Sequence, residues 1–221
     1  MTDNTRKYAA EFLGTLLLVA TVVGSGIMAE RLAGGNIAIA LLGNPIPTGA
    51  ILVVLISIFG PISGAHFNLI VSASIAADGT LAWREAIAFA CFQIMGAIIG
   101  ACLANVMFDL PIVEISTKLR GGAGQWIAEA VATFGLLLTI YGSIKNAPQS
   151  TPILVGLYIT AAYWFTASTS FANPAVTIGR MFSNSFAGIA PASAPFFILS
   201  QIFGMLLAWP VCAMLFGSKT R

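Results

Sequence analysis

The sequence predicts an all-α membrane protein with six transmembrane helices and two re-entrant half-helices, arranged as inverted repeats of three spans each. Its composition is the first reason: of 221 residues, 58% are hydrophobic and only 8% are charged. A soluble domain carries about 25% charged residues, so this chain has too few to cover a water-facing surface. The other two reasons are the lengths of its apolar stretches and a duplicated set of motifs.

The same composition excludes a soluble enzyme, a nucleic-acid binder and a disordered linker. A mean hydropathy of +0.92 indicates that the lipid bilayer is the solvent. The net charge of +2 does not indicate an acidic partner. We expect one membrane domain over residues 1–221, with neither a cofactor nor a metal, since the cysteines lack metal-ligand spacing.

Four spans follow directly from the lengths of charge-free stretches. A helix needs about 20 apolar residues to cross the hydrocarbon core. Residues 12–29, 86–108 and 130–144 each fit a single span. Residues 181–218 hold the last span, which starts after two prolines.

Two longer stretches, residues 32–77 and 146–179, do not fit this simple pattern. Each is too long for one span and too short for two spans with a loop, and polar, Gly- or Pro-containing segments interrupt both. We therefore expect a full span, a loop and a half-length helix in each. The expected full spans include residues 47–59 and 153–166, and the expected half-helices are residues 68–77 and 173–182.

The two halves of the chain repeat three landmarks in the same order. A Glu-x-x-x-Thr pattern opens the first and fourth spans, a polar segment ending in Asn precedes each half-helix, and a Gln lies in the third and sixth spans. The matched segments are residues 10–15 with 128–133, 63–71 with 168–176, and 92–96 with 200–204. We expect repeats at about 8–108 and about 125–217.

Because each half holds three spans, an odd number, the halves must have opposite orientations in the membrane. Interrupted helices at matching places in inverted repeats indicate a permeation or binding site. Non-helical backbone at membrane depth persists only where it lines a wet cavity or is buried in protein. The interrupted segments are therefore the predicted functional site.

The distribution of Lys and Arg predicts cytoplasmic N- and C-termini in the cell (inner) membrane, because cytoplasmic loops carry an excess of positive residues. With this orientation, six basic residues lie inside and four outside. They are Arg6, Lys7, Arg84, Lys145, Lys219 and Arg221 inside, and Arg31, Lys118, Arg120 and Arg180 outside.

Asn68 and Asn173 begin the two expected half-helices. Asn is a favoured N-cap, and Pro174 suits the first helical position. Since the half-helices enter from opposite faces, their N-termini should meet near the midplane. The asparagine amides would then have donors left for an oxygen in a pore.

The segments A-E-F-L-G-T, S-G-A-H-F-N and F-A-N-P-A-V resemble the aquaporin (major intrinsic protein) family, and the resemblance covers essentially the whole chain. It implies a passive channel for small uncharged solutes: water, glycerol-size polyols, and possible substrates such as urea or metalloid hydroxides. It also implies a homotetramer in the lipid bilayer. Two Asn-Pro-Ala motifs would form the pore centre, as Asn68-Leu69-Ile70 and Asn173-Pro174-Ala175, so Leu69 and Ile70 depart from the motif.

The resemblance also implies that Glu11 and Glu129 accept backbone N–H groups of the re-entrant loops. Ionisable residues inside apolar segments are costly and usually functional, although Glu11 could also lie at the membrane surface. His66 could be a packed loop residue, a pH gate or a proton carrier. Loop carbonyls would face the solute from Gly64, Ala65, His66 and Phe67 on one side and from Thr169, Ser170, Phe171 and Ala172 on the other.

An outer constriction of four positions is the last implication of the resemblance. Counted from the asparagines, these are Thr48, Ala161, Ser170 and Val176, with Val176 where the family usually has arginine. Such a filter is small and weakly polar, without an aromatic or a cation, and therefore wide. Arg180 would complement a helix dipole or anchor at the interface, or else line the rim of the outer vestibule.

Two other functions are compatible with a polytopic chain. A secondary transporter can also have inverted repeats with broken helices, but its coupling carboxylate could only be Glu11 or Glu129, which are better explained as loop braces. An intramembrane hydrolase lacks support because neither H-E-x-x-H nor G-x-S-x-G occurs.

Overall fold

The structure is a computed structural model that describes residues 3–217. Within that range it consists of α-helices and two 3₁₀ turns, at Pro148–Ser150 and Arg180–Phe182, with no β-strand. The helices are α1 (Asp3–Leu32), α2 (Ile37–Gly43), α3 (Pro45–Ser63), α4 (Leu69–Ala77), α5 (Trp83–Met107), α6 (Ala123–Asn146), α7 (Thr151–Phe165), α8 (Pro174–Gly179) and α9 (Ala194–Phe216).

The predicted fold class is confirmed: six crossing helices surround two short ones. Among residues 3–217, five helical segments are long and apolar enough to span a bilayer, with α2 and α3 counted together as Ile37–Ser63. The sixth, α7, has 15 residues and follows directly on the turn at Pro148–Ser150. The short helices α4 and α8 have nine and six residues, and neither is long enough to span a bilayer.

Contacts at the helix ends show how the helices run. Lys7 Nζ lies 3.1 Å from Glu85 Oε1, so α1 and α5 begin on the same face of the molecule. Arg31 Nη2 donates to the carbonyl of Phe108 at 2.9 Å, so they also end together. We call the face where α1 begins the inner face and the opposite one the outer face.

The second span has a break that was not predicted. Asn44 separates α2 from α3, and Pro45 occupies the first position of α3. The Asn44 amide donates to the Val22 carbonyl at 2.8 Å and to Ser25 Oγ at 2.9 Å, both on α1. Pro45 has no backbone N–H, so one helical hydrogen bond is lost at the break. The Asn44 side chain stabilises the break by tying it to the neighbouring span.

Small residues bring α5 against α1 and α9 against α6. A Cβ added to Gly96 would lie well inside 3.0 Å of the Phe12 carbonyl oxygen, and one on Gly204 would do the same at Ala130. Glycine at both positions allows the backbones to approach this closely, as in other membrane helix pairs. The equivalence of these contacts shows the repeat in three dimensions.

The segment between α5 and α6 runs along the chain that follows α8. Its backbone pairs with the chain after α8: Glu114 N–H donates to Phe182 at 3.2 Å, and Ser116 N–H donates to Met181 at 2.8 Å. Ala190 N–H donates in turn to Lys118 at 2.8 Å. The loop thus brings two basic residues, Lys118 and Arg120, to the outer face. Two others counted for orientation, Lys219 and Arg221, lie outside the described residues.

Candidate functional site

The half-helices meet end to end through their asparagines. Asn68 caps α4, with Oδ1 accepting from the N–H of Ile70 at 2.9 Å, and Asn173 caps α8, with Oδ1 accepting from Ala175 at 2.9 Å. Each amide nitrogen then crosses to the opposite loop. Asn68 Nδ2 donates to the Ala172 carbonyl and Asn173 Nδ2 to the Phe67 carbonyl, both at 2.7 Å. An amide NH₂ has two donors, so each asparagine keeps one for a molecule in the cavity.

The loops before these asparagines have the same unusual backbone. Ala65 and Phe67 have φ values of 52° and 47°, and their counterparts Ser170 and Ala172 have 47° and 46°. Non-glycine residues in the left-handed region cost about 1–3 kcal/mol and persist only where the surroundings hold them. The loops are therefore held in a strained path on both sides of the midplane.

Glu11 holds the first loop. Its Oε1 accepts from Ser63 Oγ at 2.6 Å and from His66 N–H at 3.0 Å, while Oε2 accepts from Phe67 N–H at 2.8 Å. Gln93 Nε2 donates to the same Oε2 at 2.7 Å and lies 3.1 Å from Ser72 Oγ. Glu11 is fully buried, so it does not lie at the surface.

Glu129 holds the second loop in the same way. It accepts from the backbone N–H groups of Phe171 and Ala172 at 2.8 and 2.9 Å. Gln201 Nε2 donates to Oε2 at 2.6 Å and lies 3.0 Å from Thr177 Oγ1. Gln93 and Gln201 thus each make an interhelical hydrogen bond to the glutamate of their own repeat.

A cavity of about 120 Å³ passes along the asparagines and is lined by both repeats. From the inner side, its wall includes Gly64, Ala65, His66 and Phe67, and on the outer side it includes Thr48, Ser170 and Val176. Apolar side chains form most of the remaining wall. They are Leu18, Val22, Leu52, Ile56, Val71, Ile75, Leu136, Ile140, Ile144, Val155 and Ile159.

One of the four predicted filter positions is wrong. Ala161 is exposed on the outside of α7 and is not part of the cavity wall. The wall of α7 is formed by residues four apart, Thr151, Val155, Ile159 and Tyr163, so a residue midway between the last two points to the opposite face. Counting back from Asn173 across the loop did not preserve the helical register, and Tyr163 takes the place of Ala161.

Several residues predicted for the pore lie behind its wall. Neither Thr169 nor Ala172 lines the cavity, and the Ala172 carbonyl is bonded to the Asn68 amide. Four more residues, in the first turns of the half-helices, are also absent from the wall, because they pack around the junction while the asparagines face the cavity. They are Leu69, Ile70, Pro174 and Ala175. Phe171 does line the cavity.

Arg180 changes the expected character of the outer constriction. It is 1% exposed and lines the cavity, so it neither anchors at the interface nor serves only as a dipole partner. Its guanidinium carbon lies 3.4 Å from the centre of the Phe171 ring, and Nε donates to the Ala187 carbonyl. The wall therefore contains a cation, Arg180, and an aromatic residue, Tyr163. The prediction that this opening lacks both a cation and an aromatic residue is wrong.

His66 lies on the inner wall as a packed residue. Its Nδ1 is 3.0 Å from Ser72 Oγ, and its ring meets that of Phe89 edge to face at 5.4 Å between centroids. The gate and proton-carrier interpretations remain predictions.

The sequence could have indicated two wall residues more firmly: Ile75 was not predicted, and the rim of the vestibule was only one of the alternatives for Arg180. Ile75 and Arg180 both stand seven residues after an asparagine, and Val71 and Val176 both stand three after one. All four line the cavity. Applied consistently, the repeat would have placed Arg180 in the pore, whereas nothing in it indicates Tyr163.

Comparison with known proteins agrees with this geometry. Residues 1–172 match the Major intrinsic protein family. The chain is 54% identical over 206 residues to the aquaglyceroporin AqpS of Rhizobium meliloti, covering 93% of this chain and 88% of that protein. It is 31% identical over 172 residues to a probable glycerol uptake facilitator protein of Thermotoga maritima, covering 69% and 71%.

A solved structure shares the fold. The X-ray structure of the aquaglyceroporin from Plasmodium falciparum superposes with a TM-score of 0.74 at 20% identity, covering 98% of this chain and 96% of the other. At that identity the likeness concerns the arrangement of helices.

Proposed function

The chain belongs to the major intrinsic protein family, and from this premise we propose that it is a passive transmembrane channel for water and small uncharged solutes such as glycerol. The observation that carries the proposal is the cavity at the junction of the half-helices, with one free amide donor from each asparagine on its wall. A mostly apolar wall binds a solute weakly, which is required for rapid passage.

We infer further that the opening admits solutes larger than water. Val176 supplies an apolar surface at the position where this family usually has arginine. It lies beside the hydroxyls of Thr48 and Ser170. Urea and metalloid hydroxides have the size and neutrality that such an opening requires, so they join glycerol-size polyols as proposed solutes.

A secondary transporter is not favoured. Coupling to protons needs a carboxylate that can change its protonation and its partners during transport. Glu11 and Glu129 each accept at least three hydrogen bonds, and both are fully buried. Carboxylates that accept this many hydrogen bonds serve as structural braces. Separately, the channels of this family are not enzymes.

Proteoliposomes test the proposal directly. Stopped-flow measurements with water, glycerol and urea should show flux proportional to the gradient and insensitive to a protonophore. Flux that saturates at low solute concentration and collapses with the proton gradient would contradict the channel and support a transporter.

Asn173→Asp supplies the matched inactive variant. It retains the capping oxygen but replaces the crossing donor with a carboxylate facing the Phe67 carbonyl. A charge at this depth is costly, so we expect at least about a tenfold loss of neutral-solute flux. Wild-type flux through the folded variant would remove Asn173 from the pore centre.

We also propose a homotetramer in the cell membrane, as one domain with both termini in the cytoplasm. Arg6 and Arg84 at the inner face agree with the excess of positive charge on cytoplasmic sides. Many large apolar side chains on the outside suit contact with lipid or neighbouring subunits. Native mass spectrometry and cysteine labelling from each side test assembly and orientation separately.

A further inference from the structure

A groove of about 470 Å³ lies between α6 and α9 on the outside of the molecule, away from the channel cavity. It follows residues 126–134 of α6 and 199–207 of α9, a length of about 12 Å along the helices. We call it the α6–α9 groove. Its walls include Trp126, Ala130, Phe134, Ser200, Phe203 and Leu207.

Comparison of the two repeats explains why this groove is open. Ala130 and Ser200 correspond to Phe12 and Phe92 in the first repeat, so a methyl and a hydroxymethyl group stand where the first repeat has two phenyl rings. The hydroxyl of Ser200 donates to the Phe196 carbonyl at 2.8 Å. Since its hydrogen is thereby used within α9, the groove presents an apolar surface to an occupant.

The aromatic pair at one end of the groove is shifted by one helical turn relative to the first repeat. There, Tyr8 stacks on Phe92 with 5.2 Å between the ring centroids. Trp126, the counterpart of Tyr8, stacks instead on Phe196, also at 5.2 Å. Phe196 lies four residues before Ser200, towards the start of α9. The shifted stack therefore marks the outer end of the groove and leaves the space beyond it unfilled.

The groove lies in the outer half of the membrane. The start of α6 and the start of α9 meet at the outer face, where the Arg120 N–H donates to Ser193 Oγ at 3.0 Å. Trp126 lies in the first turn of α6, at the depth where tryptophan rings favour the level of the lipid headgroups. Both helices cross a hydrocarbon core of about 30 Å, so the groove runs roughly along the membrane normal and fits within one leaflet.

The outer end of the groove is basic. Lys118 and Arg120 precede α6, and the sequence has no acidic residue between them and the buried Glu129, nor any after it. The first turn of α6 also directs the positive end of a 24-residue helix to this side, with no carboxylate to offset it. This end therefore attracts an anion at the level of the headgroups.

We propose that the α6–α9 groove binds one anionic phospholipid of the outer leaflet. One acyl chain lies along the groove, and the phosphate lies at its outer end beside Trp126. A helix of a second copy that crosses the groove could insert only single side chains, whereas an acyl chain follows its whole length. Since lipid tails are as apolar as the groove, close packing and the headgroup charge give the site its preference. The site does not depend on whether the channel conducts.

The test fills the groove with its counterparts from the first repeat, in the double variant Ala130→Phe/Ser200→Phe. Protein extracted from vesicles of phosphatidylglycerol and phosphatidylcholine is examined by native mass spectrometry, which counts the phospholipids retained by each subunit. We expect the variant to retain phosphatidylglycerol at least about threefold less often than the wild type, because packing along the groove is lost. Leu17→Phe adds a ring at an exposed apolar position on α1 and should retain the lipid as the wild type does.

Equal retention by the double variant and the wild type overturns the site, and equal retention of the two lipids overturns the place of the phosphate. The same spectra report assembly, and a variant that loses subunits while its lipid count stays the same would assign the groove to a second copy instead.

Should the double variant fail to fold, photo-crosslinking of the wild type answers the same question. The probe is a phosphatidylglycerol with a diazirine in one acyl chain. Labelling concentrated on Phe203 and Leu207 supports the site, and labelling spread evenly over all outward-facing helices overturns it.

Discussion

The inner and outer halves of the site share a framework and differ in what they expose. Each has a buried glutamate, a glutamine, a hydroxyl on the half-helix and an asparagine that crosses the midplane. The corresponding hydrogen bonds agree within about 0.1 Å. The wall positions differ: His66 corresponds to Phe171, and Ile75 to Arg180. The parts that hold the loops are duplicated, and the parts that meet the solute have diverged.

The aromatic contacts make the divergence concrete. His66 meets Phe89 edge to face at 5.4 Å, and Phe171 meets Phe197 in the same way at 5.1 Å. On the inner side the ring at this position, His66, hydrogen-bonds to Ser72. On the outer side the ring, Phe171, stacks against the guanidinium of Arg180. An equivalent site in a repeat can therefore change its chemistry while its packing stays the same.

The largest effect should come from Gly96→Ala and Gly204→Ala, which test whether the two helix contacts are equivalent. The added methyl would collide with the backbone of Phe12 or Ala130, and overpacking costs about 1–3 kcal/mol or more. We expect folded yield in detergent to fall sharply for both.

Gly60→Ala is the matched control, because no atom lies within 4 Å of its added Cβ. It should leave yield and melting temperature near the wild type or slightly above. Unequal losses for Gly96 and Gly204 would break the equivalence of the halves.

Glu11→Gln and Glu129→Gln come next and test the braces. A glutamine turns an NH₂ group towards backbone donors, and each unsatisfied group costs about 1–3 kcal/mol. We expect the melting temperature to fall by about 5 °C or more in both variants, because each carboxylate holds its loop through corresponding backbone N–H groups. Thermal unfolding and glycerol flux should decline together. Unchanged values of both would show that the hydrogen bonds do not hold the loops.

His66→Phe makes the inner ring like the outer one. The variant keeps a ring against Phe89 and loses the bond to Ser72, a change of about 0.5–1.5 kcal/mol. We expect folding and glycerol flux within about twofold of the wild type from pH 5 to pH 8. If wild-type flux varies over that range and the variant's does not, His66 is a pH gate.

The smallest effect concerns Lys118, in the outer loop. Burial, then repulsion from Arg120 and Arg180, lowers the pKa of Lys118 to about 8. Between pH 8 and pH 10.5 the unfolded lysine binds more protons than the folded one, so stability should rise with pH through this window. Melting temperatures at pH 7.5 and 9.5 measure the rise, and Lys118→Gln should remove it.

The sequence predicted the framework better than the wall. Glu11, Gln93 and Asn68 recur with their counterparts at matching places, and such duplicated polar residues in apolar segments are visible without coordinates. The number of spans followed from hydropathy, because the bilayer sets a length for a helix, whereas several helices extend past the charge-free stretches, as α1 and α6 do. The break at Asn44 was missed because its partners, Val22 and Ser25, lie on another helix.

The wall was harder because it depends on rotation. Ala161 was placed by counting through a loop, and an error of two residues turns a helical side chain by about 200°. Tyr163 therefore lines the cavity where Ala161 does not. The distance of Arg180 from Asn173 leaves its roles open in the sequence, and only the structure shows that this position, like Ile75, faces the cavity.

The crossing of the two asparagines has a consequence for how the chain acquires its structure. Each half-helix places its amide on a carbonyl of the other loop, across 104 residues in one case and 106 in the other. A nascent first half leaves the amide of Asn68 and the carbonyl of Phe67 without these partners until the second half arrives. Loops of this length close slowly, and unsatisfied polar groups at membrane depth are costly. The last step in folding must therefore be the pairing of the two half-helices, because neither half has its native hydrogen bonds before the other is in place.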